Sequence, residues 1–300
     1  MASLGLLYNG SFSPESLSGA ARPDHVVVIP ERFWNDGGRG TPAPRYRHPA
    51  GPRQVLERLK RQFPLAAHGL GLSIASACFF DREHVRELRR LDREVGFAWL
   101  SEHLAAFRVD SDASADHHAG LPIPMPWGGE LLDLVADRLD EAQELLGRPL
   151  LLENGVEFTP VHDAELSEPE FWCALHRRCG ARMLLDLHNL HVNETNLGLD
   201  PIAWMNALPE AAVEEAHVAG GNWIDGTYFD SHSGRSPARV HELLRHALKR
   251  FSGLRAVTFE FHESYFGELG LAGVEAEMLT LREIVGQTGM ARGEKLRAAG

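Results

Sequence analysis

Three hundred residues with 44% hydrophobic and 24% charged side chains are ordinary globular usage, which excludes a mostly disordered chain and allows one large domain or two of common size. Thirty basic against 42 acidic residues leave a net charge of -12, a poor match to a phosphate backbone, so nucleic acid is not an expected partner. No run reaches the roughly 18 unbroken apolar residues of a membrane span, and the opening MASLGLLYNGSFSPE lacks the basic and long apolar regions of a signal peptide, so no membrane partner is expected.

In chain order, an apolar strand is expected over 4–8, then a weak, serine-rich helix over 11–22 broken by Pro and Gly. A strand over 25–29 leads into a Gly-, Pro- and Arg-rich loop over 35–52, read as mobile. Helix 54–63, strand 64–68, helix 81–95 behind Asp81, and strand 97–101 follow, then a long connection over 105–127. Helix 129–147 has the clearest period, with Leu131, Leu134, Val135, Leu139, Ala142, Leu145 and Leu146 at spacings of three and four. Beyond it the reading gives strand 149–153, helix 168–179 with Ser167 and Glu170 at its start, and strand 181–186. Helix 201–207 opens on Pro201, and strand 212–218, helix 238–251, strand 254–260 and helix 274–285 complete the series. Most of these strands are apolar throughout, as strands covered on both faces are. Eight β units, most followed by a helix, predict a (β/α)8 TIM barrel. It is read as a single domain with a core over 4–287 and a flexible tail over 288–300. The competitor is a doubly wound open sheet, but no GxGxxG opens any helix.

Polar residues gather at the C-terminal ends of the expected strands, where barrels of this kind build their sites. His68 ends one strand, Glu102 and His103 the next, then Glu153, then Asp186, His188 and Asn189. His217 ends the seventh, with Asp230 and His232 in the following loop, and Glu260 and His262 end the eighth. Residues two apart on an extended chain point the same way, so Asp186 with His188, Asp230 with His232, and Glu260 with His262 are each expected to present a carboxylate and an imidazole together. Glu102 and His103 must point apart. Glu102 is read as orienting a ligand or facing the helices.

Buried charges are costly unless paired or bound to metal, and a ring of imidazoles and carboxylates at one barrel mouth suits divalent zinc, iron or manganese, two or three of them sharing carboxylates. His68, His103, His217 and His232 with Glu153, Asp186, Asp230 and Glu260 are the candidate metal ligands. The residues leave His188 and His262 open. His25, His48, His84, His162, His176, His191, His241 and His246 are read as structural or solvent-exposed. The three cysteines, Cys78, Cys173 and Cys179, are too few and too irregular for a disulfide framework or a CxxC zinc site, and fit a reducing cytoplasm.

The runs AHGLGLS, SEHL, LLEN, LLDLHNLHVN, EAHVAGG and DSHSG, in that order, resemble the DUF692 family, the multinuclear non-heme iron oxidative enzymes, over roughly residues 5–281. The resemblance implies a TIM barrel holding two or three iron ions in mixed Fe(II) and Fe(III) states. It also implies O2 as co-substrate and a ribosomally made precursor peptide, often modified at cysteine, as substrate. It implies that His68, His103, Glu153, Asp186, His217, Asp230, His232 and Glu260 are the iron ligands, with His188 and Asn189 as catalytic candidates beside them. The chemistry implied is a substrate thiolate held by ferrous iron and hydrogen abstraction beside sulfur, with a companion precursor-recognition protein as a further partner. Connections 105–127, with His117 and His118, and 220–234 are expected to cover the site. Two departures add imidazoles: His188 stands where the family commonly has Asn, and His262 where it often has Asp. A zinc phosphodiesterase of the endonuclease-IV type, a sugar isomerase, and a non-catalytic metal-holding peptide scaffold are the competing readings.

Overall fold

The computed structural model describes residues 1–108, 119, 121–159, 161 and 163–298, with side chains to residue 287. The elements follow the expected alternation: β1 (Ser3–Tyr8), β2 (His25–Val28), β3 (Asn35–Asp36), β4 (Tyr46–Arg47), α1 (Ala50–Gln62), β5 (Leu65–Gly69), α2 (Arg82–Val95), β6 (Leu100–His103), α3 (Gly129–Leu146) and β7 (Leu151–Glu153). Then come α4 (Glu168–Cys179), β8 (Arg182–Asp186), α5 (Leu187–Leu197), α6 (Pro201–Ala207), β9 (Val213–Val218), β10 (Asn222–Ile224), β11 (Thr227–Phe229), α7 (Ala238–Arg250), β12 (Ala256–Phe259) and α8 (Phe266–Ala298). Eight strands close into a barrel in the order β1-β12-β9-β8-β7-β6-β5-β2, the (β/α)8 TIM fold. The chain forms two compact units, residues 28–182 and residues 1–27 with 183–300.

In the unit of residues 28–182, β5 pairs with β6 and β6 with β7, both parallel, so that His68 is level with Ser101 and His103 with Glu153. Leu100, Leu139, Leu150 and Phe171 are fully buried there. Helix α2 starts where Asp81 accepts hydrogen bonds from the backbone N–H groups of Glu83 and His84, and it ends at Gly96 in the left-handed conformation. The Ser167/Glu170 capping box opens α4 as read from the sequence. In the other unit β12 lies between β1 and β9, and β9 pairs with β8 with Asp186 level with His217. Leu4, Leu6, Phe251, Phe259 and Phe261 are fully buried around these strands.

Several boundaries move for identifiable reasons. The strand expected over 97–101 is Leu100–His103, since the Arg148 guanidinium takes the carbonyls of Phe97 and Ala98. The expected loop over 35–52 contains the antiparallel pair β3–β4, and Arg45 from its connection reaches Asp36 at 2.6 Å and Asp81 at 2.8 Å. Helix α1 already begins at Ala50, with Pro52 in the first turn, where a missing N–H costs nothing. Residues 11–22 form two 3-10 turns, Pro14–Ser16 and Gly19–Ala21, in place of a helix. Connection 220–234 carries the β10–β11 hairpin. Helix α8 begins well before 274 and is interrupted at Gly270, which has φ of 62°. The tail expected over 288–300 falls where side chains, and at 299–300 the backbone, lie outside the described residues. No helix among the described residues is long and apolar enough to cross a membrane.

Candidate metal centre

In the unit of residues 28–182, three parallel strands deliver three donors to one point. Glu153 is the last residue of β7, and its Oε2 lies 2.7 Å from His103 Nδ1 and 3.3 Å from His68 Nε2. The two Nε2 atoms stand 3.2 Å apart. One donor atom from each of the three residues falls within 4.8 Å of the others, a set that could hold a metal ion. Burial works against the Glu153 charge, but the His103 and His68 imidazoles hold its carboxyl well below the usual range.

Ser101, two residues before His103 on the same strand face, is a contributor the sequence reading missed. Its hydroxyl lies 3.3 Å from the Ala67 carbonyl and 3.0 Å from His68 Nδ1, so it ties that ring nitrogen to the strand backbone. That contact holds the ring with Nε2 turned toward Glu153.

Glu102 points away from His103, as expected, and meets two residues the sequence reading did not combine with it. Glu31 accepts from the N–H groups of Leu70 and Gly71, Glu102 accepts from Leu72, and His84 Nε2 lies 3.2 Å from Glu31 Oε1. His84 is buried, in a helix position that the sequence alone reads as bland. Burial, followed by the Glu31 charge, pushes the Glu102 carboxyl up to about 8. The Glu31 carboxyl is held low by His84 despite its burial. The three side chains brace the backbone that leaves β5 directly after His68.

The second cluster lies in the unit of residues 1–27 and 183–300. His217 Nδ1 is 2.8 Å from Glu260 Oε1, and Glu260 Oε2 is 3.6 Å from His232 Nδ1. His232 Nε2 is 3.0 Å from Asp230 Oδ1, and that oxygen is 2.7 Å from His188 Nδ1. Acid and imidazole therefore alternate through five residues. His232 reaches its place from a left-handed backbone, φ 50°. Burial would discharge His232, but Asp230 beside it pushes the imidazole up to about 10. Asp230 is held far below the carboxylate range by His232 and His188, against its burial. His217 is likewise held well above its ordinary value, with Glu260 and Glu215 outweighing burial.

Two of the three expected pairs do not form. Asp186 caps α5, accepting from the Asn189 N–H at 2.7 Å, so the chain is helical from Leu187 and His188 turns to Asp230. Asn189 is buried in the first turn of that helix. His262 is exposed and caps the turn Glu263–Tyr265, its Nδ1 accepting from the Ser264 N–H, so its ring is engaged beyond the end of β12. Asp230 and His232 do lie together. Of the remaining histidines, His191 packs against Tyr228 and contacts Glu194, and His117, His118 and His162 lie outside the described residues.

A (β/α)8 barrel whose strand ends carry histidine–carboxylate clusters able to hold metal defines the class of this protein. Residues 3–280 match the family described as RiPP precursor modification enzyme MbnB/TglH/ChrH, and the chain belongs to that family. It is 37% identical over 232 residues to a UPF0276 protein of Chromobacterium violaceum, covering 77% of this chain and 78% of that one. It is 33% identical to a UPF0276 protein of Rhizorhabdus wittichii over 227 residues, covering 76% and 75%. Among solved structures it is similar to a D-tagatose 3-epimerase-like protein, with TM-score 0.59, 14% identity and coverage of 96% of this chain and 99% of that one. An L-ribulose 3-epimerase has TM-score 0.57 and 14% identity, covering 100% and 98%. At such identities these structural likenesses concern the fold.

Proposed function

We propose that the protein is an iron-dependent oxidative enzyme that modifies a ribosomally made precursor peptide, with O2 as co-substrate and a cysteine of the peptide as the target. The proposed ligands are His68, His103 and Glu153 from one unit, and Asp186, His217, Asp230, His232 and Glu260 from the other, holding two or three iron ions. The observation that carries the reading is the convergence of His68, His103 and Glu153 on one point, in a chain belonging to a family of RiPP precursor modification enzymes. Imidazole and carboxylate without thiolate suit iron that must exchange small ligands during turnover. When bound, the iron supplies redox chemistry toward dioxygen and a hold on the substrate sulfur.

The chain's own residues supply geometry. Ser101 orients the His68 ring, Glu102 with Glu31 and His84 fixes the backbone after β5, and His188 holds the Asp230 carboxylate. Asn189 contributes the backbone N–H that steadies Asp186. A cavity of about 640 Å³ lined by Ala75, Cys78, Ile123, Met125, Trp127 and Leu131 lies on the connections after β5 and β6, the strands that carry His68 and His103. A largely apolar pocket of that size supports peptide side chains as occupants. The companion precursor-recognition protein and a cytoplasmic location belong to the same proposal.

The test is turnover by purified protein loaded anaerobically with ferrous iron. It is mixed with candidate Cys-containing peptides encoded beside its gene, then exposed to air. Oxygen uptake with an oxidative mass change at a peptide cysteine is the expected result. Zinc as the tightly held metal with phosphodiester hydrolysis, or peptide capture without oxygen uptake, overturns it.

A further inference from the structure

Beneath His217, inside the unit of residues 1–27 and 183–300, three polar side chains are stacked where a barrel normally packs apolar ones. Glu215 precedes His217 by two positions on β9, so both side chains leave the strand on the same face, and both are buried. Glu215 Oε1 lies 3.3 Å from His217 Nε2. The same oxygen accepts the Thr258 hydroxyl proton at 2.8 Å, and Thr258 Oγ1 lies 3.2 Å from His25 Nε2.

The directions of these hydrogen bonds are fixed by one group. A hydroxyl has a single proton, and Thr258 gives it to Glu215, so Thr258 accepts from a protonated His25 Nε2. Glu215, ionised, only accepts, so the His217 nitrogen facing it carries a proton as well. Room for the stack comes from Gly5 on β1, where a Cβ would fall 2.0 Å from His25 Nε2. A buried carboxylate supplied with donors from both sides is far less costly to keep charged than an isolated one.

We propose that Glu215 is a positioning residue that keeps the His217 proton on Nε2 and so makes Nδ1, the atom 2.8 Å from Glu260, the one His217 offers to a metal. This rests on the reading of His217 as a metal ligand. A histidine ligand whose second nitrogen donates to a carboxylate is fixed in tautomer and ring plane and is made more basic. Thr258 and His25 hold the carboxylate in turn, so the orientation of the ligand is set from below the site by residues that never touch the metal.

The test uses zinc as a diamagnetic probe and protein labelled with ¹⁵N at histidine, assigned by comparison with His217→Gln. Long-range ¹H–¹⁵N spectra separate a protonated, a bare and a metal-bound ring nitrogen. In wild type, zinc is expected to shift Nδ1 of His217 while Nε2 stays protonated. Glu215→Ala is expected to lose that fixed assignment and to bind zinc roughly 10–100-fold more weakly. Glu215→Gln, which keeps a carbonyl acceptor for both donors, is expected to restore most of the affinity and the Nε2 proton. Zinc bound at Nε2 in wild type, or Glu215→Ala with unchanged affinity and unchanged Nδ1 binding, overturns the proposal. A His217 ring untouched by zinc overturns the ligand reading beneath it instead. Should Glu215→Ala fail to fold by circular dichroism, the wild-type nitrogen assignment together with Glu215→Gln still decides the matter.

Discussion

His103 Nδ1 stands 2.7 Å from Glu153 Oε2, the shortest of the contacts that join the ends of β5, β6 and β7. The two residues are level across the β6–β7 ladder, so their spacing is set by the sheet and requires no loop to hold it. Removing His103 leaves Glu153 with His68 and takes one nitrogen donor from the proposed centre. His103→Ala is expected to lower bound iron by at least one ion per chain and to cut peptide oxidation more than about 100-fold, above the 10–100-fold typical of residues behind the ligands. Iron analysis beside a circular dichroism spectrum checks this, the spectrum being expected to match wild type.

Ser101 acts on His68 without being a donor to metal. Ser101→Ala removes the hydrogen-bond partner of His68 Nδ1 and leaves a ring free to flip or change tautomer. Ferrous iron affinity is expected to fall roughly 10–100-fold with the melting temperature nearly unchanged, read by competition with a chelator and by thermal unfolding.

His25 gives a pH dependence with a defined sign. Burial, offset in part by Glu215 and Asp24, lowers its folded value from 6.5 to about 4. The unfolded chain therefore binds a proton first as pH falls, so this stability is fully present above pH 6.5 and is lost between there and pH 4. The contribution is on the order of 3 kcal/mol. Melting temperatures of wild type and His25→Gln over that range check it: the wild-type curve is expected to fall more steeply, and parallel curves contradict the assignment.

Gly221 packs where a side chain cannot. A Cβ there would lie 2.3 Å from the Phe229 carbonyl oxygen and 2.9 Å from His188 Nε2. Gly221→Ala is expected to displace the β10–β11 hairpin and to destabilise the protein by roughly 1–3 kcal/mol, seen as a lowered melting temperature.

The fold was legible because most barrel strands are short apolar runs and most helices periodic ones, and tertiary burial agrees with both. Ser167 with Glu170 and Asp81 carry their own start signals. Helix α5 was missed because LHNLHVNETNL has little amphipathic contrast. Its start is dictated by the Asp186 cap, and this turned the expected Asp186–His188 pair into a His188–Asp230 pair. His262 was misplaced for a similar reason, since its ring caps the turn that follows β12. The proposed donors stand out in the sequence as acids and histidines at strand ends. Ser101, Glu215, Glu31 and Thr258 were not, because a residue that orients a ligand from beneath has no sequence mark beyond its place on the same strand face, and that needs the register.

The most direct test is the iron count and oxidation state of the anaerobically reconstituted protein, by elemental analysis and Mössbauer spectroscopy of ⁵⁷Fe. Two or three ions per chain in nitrogen and oxygen coordination, falling when either His103 or His217 is replaced by alanine, is the predicted result. One ion or none, or a count indifferent to both substitutions, would contradict the account.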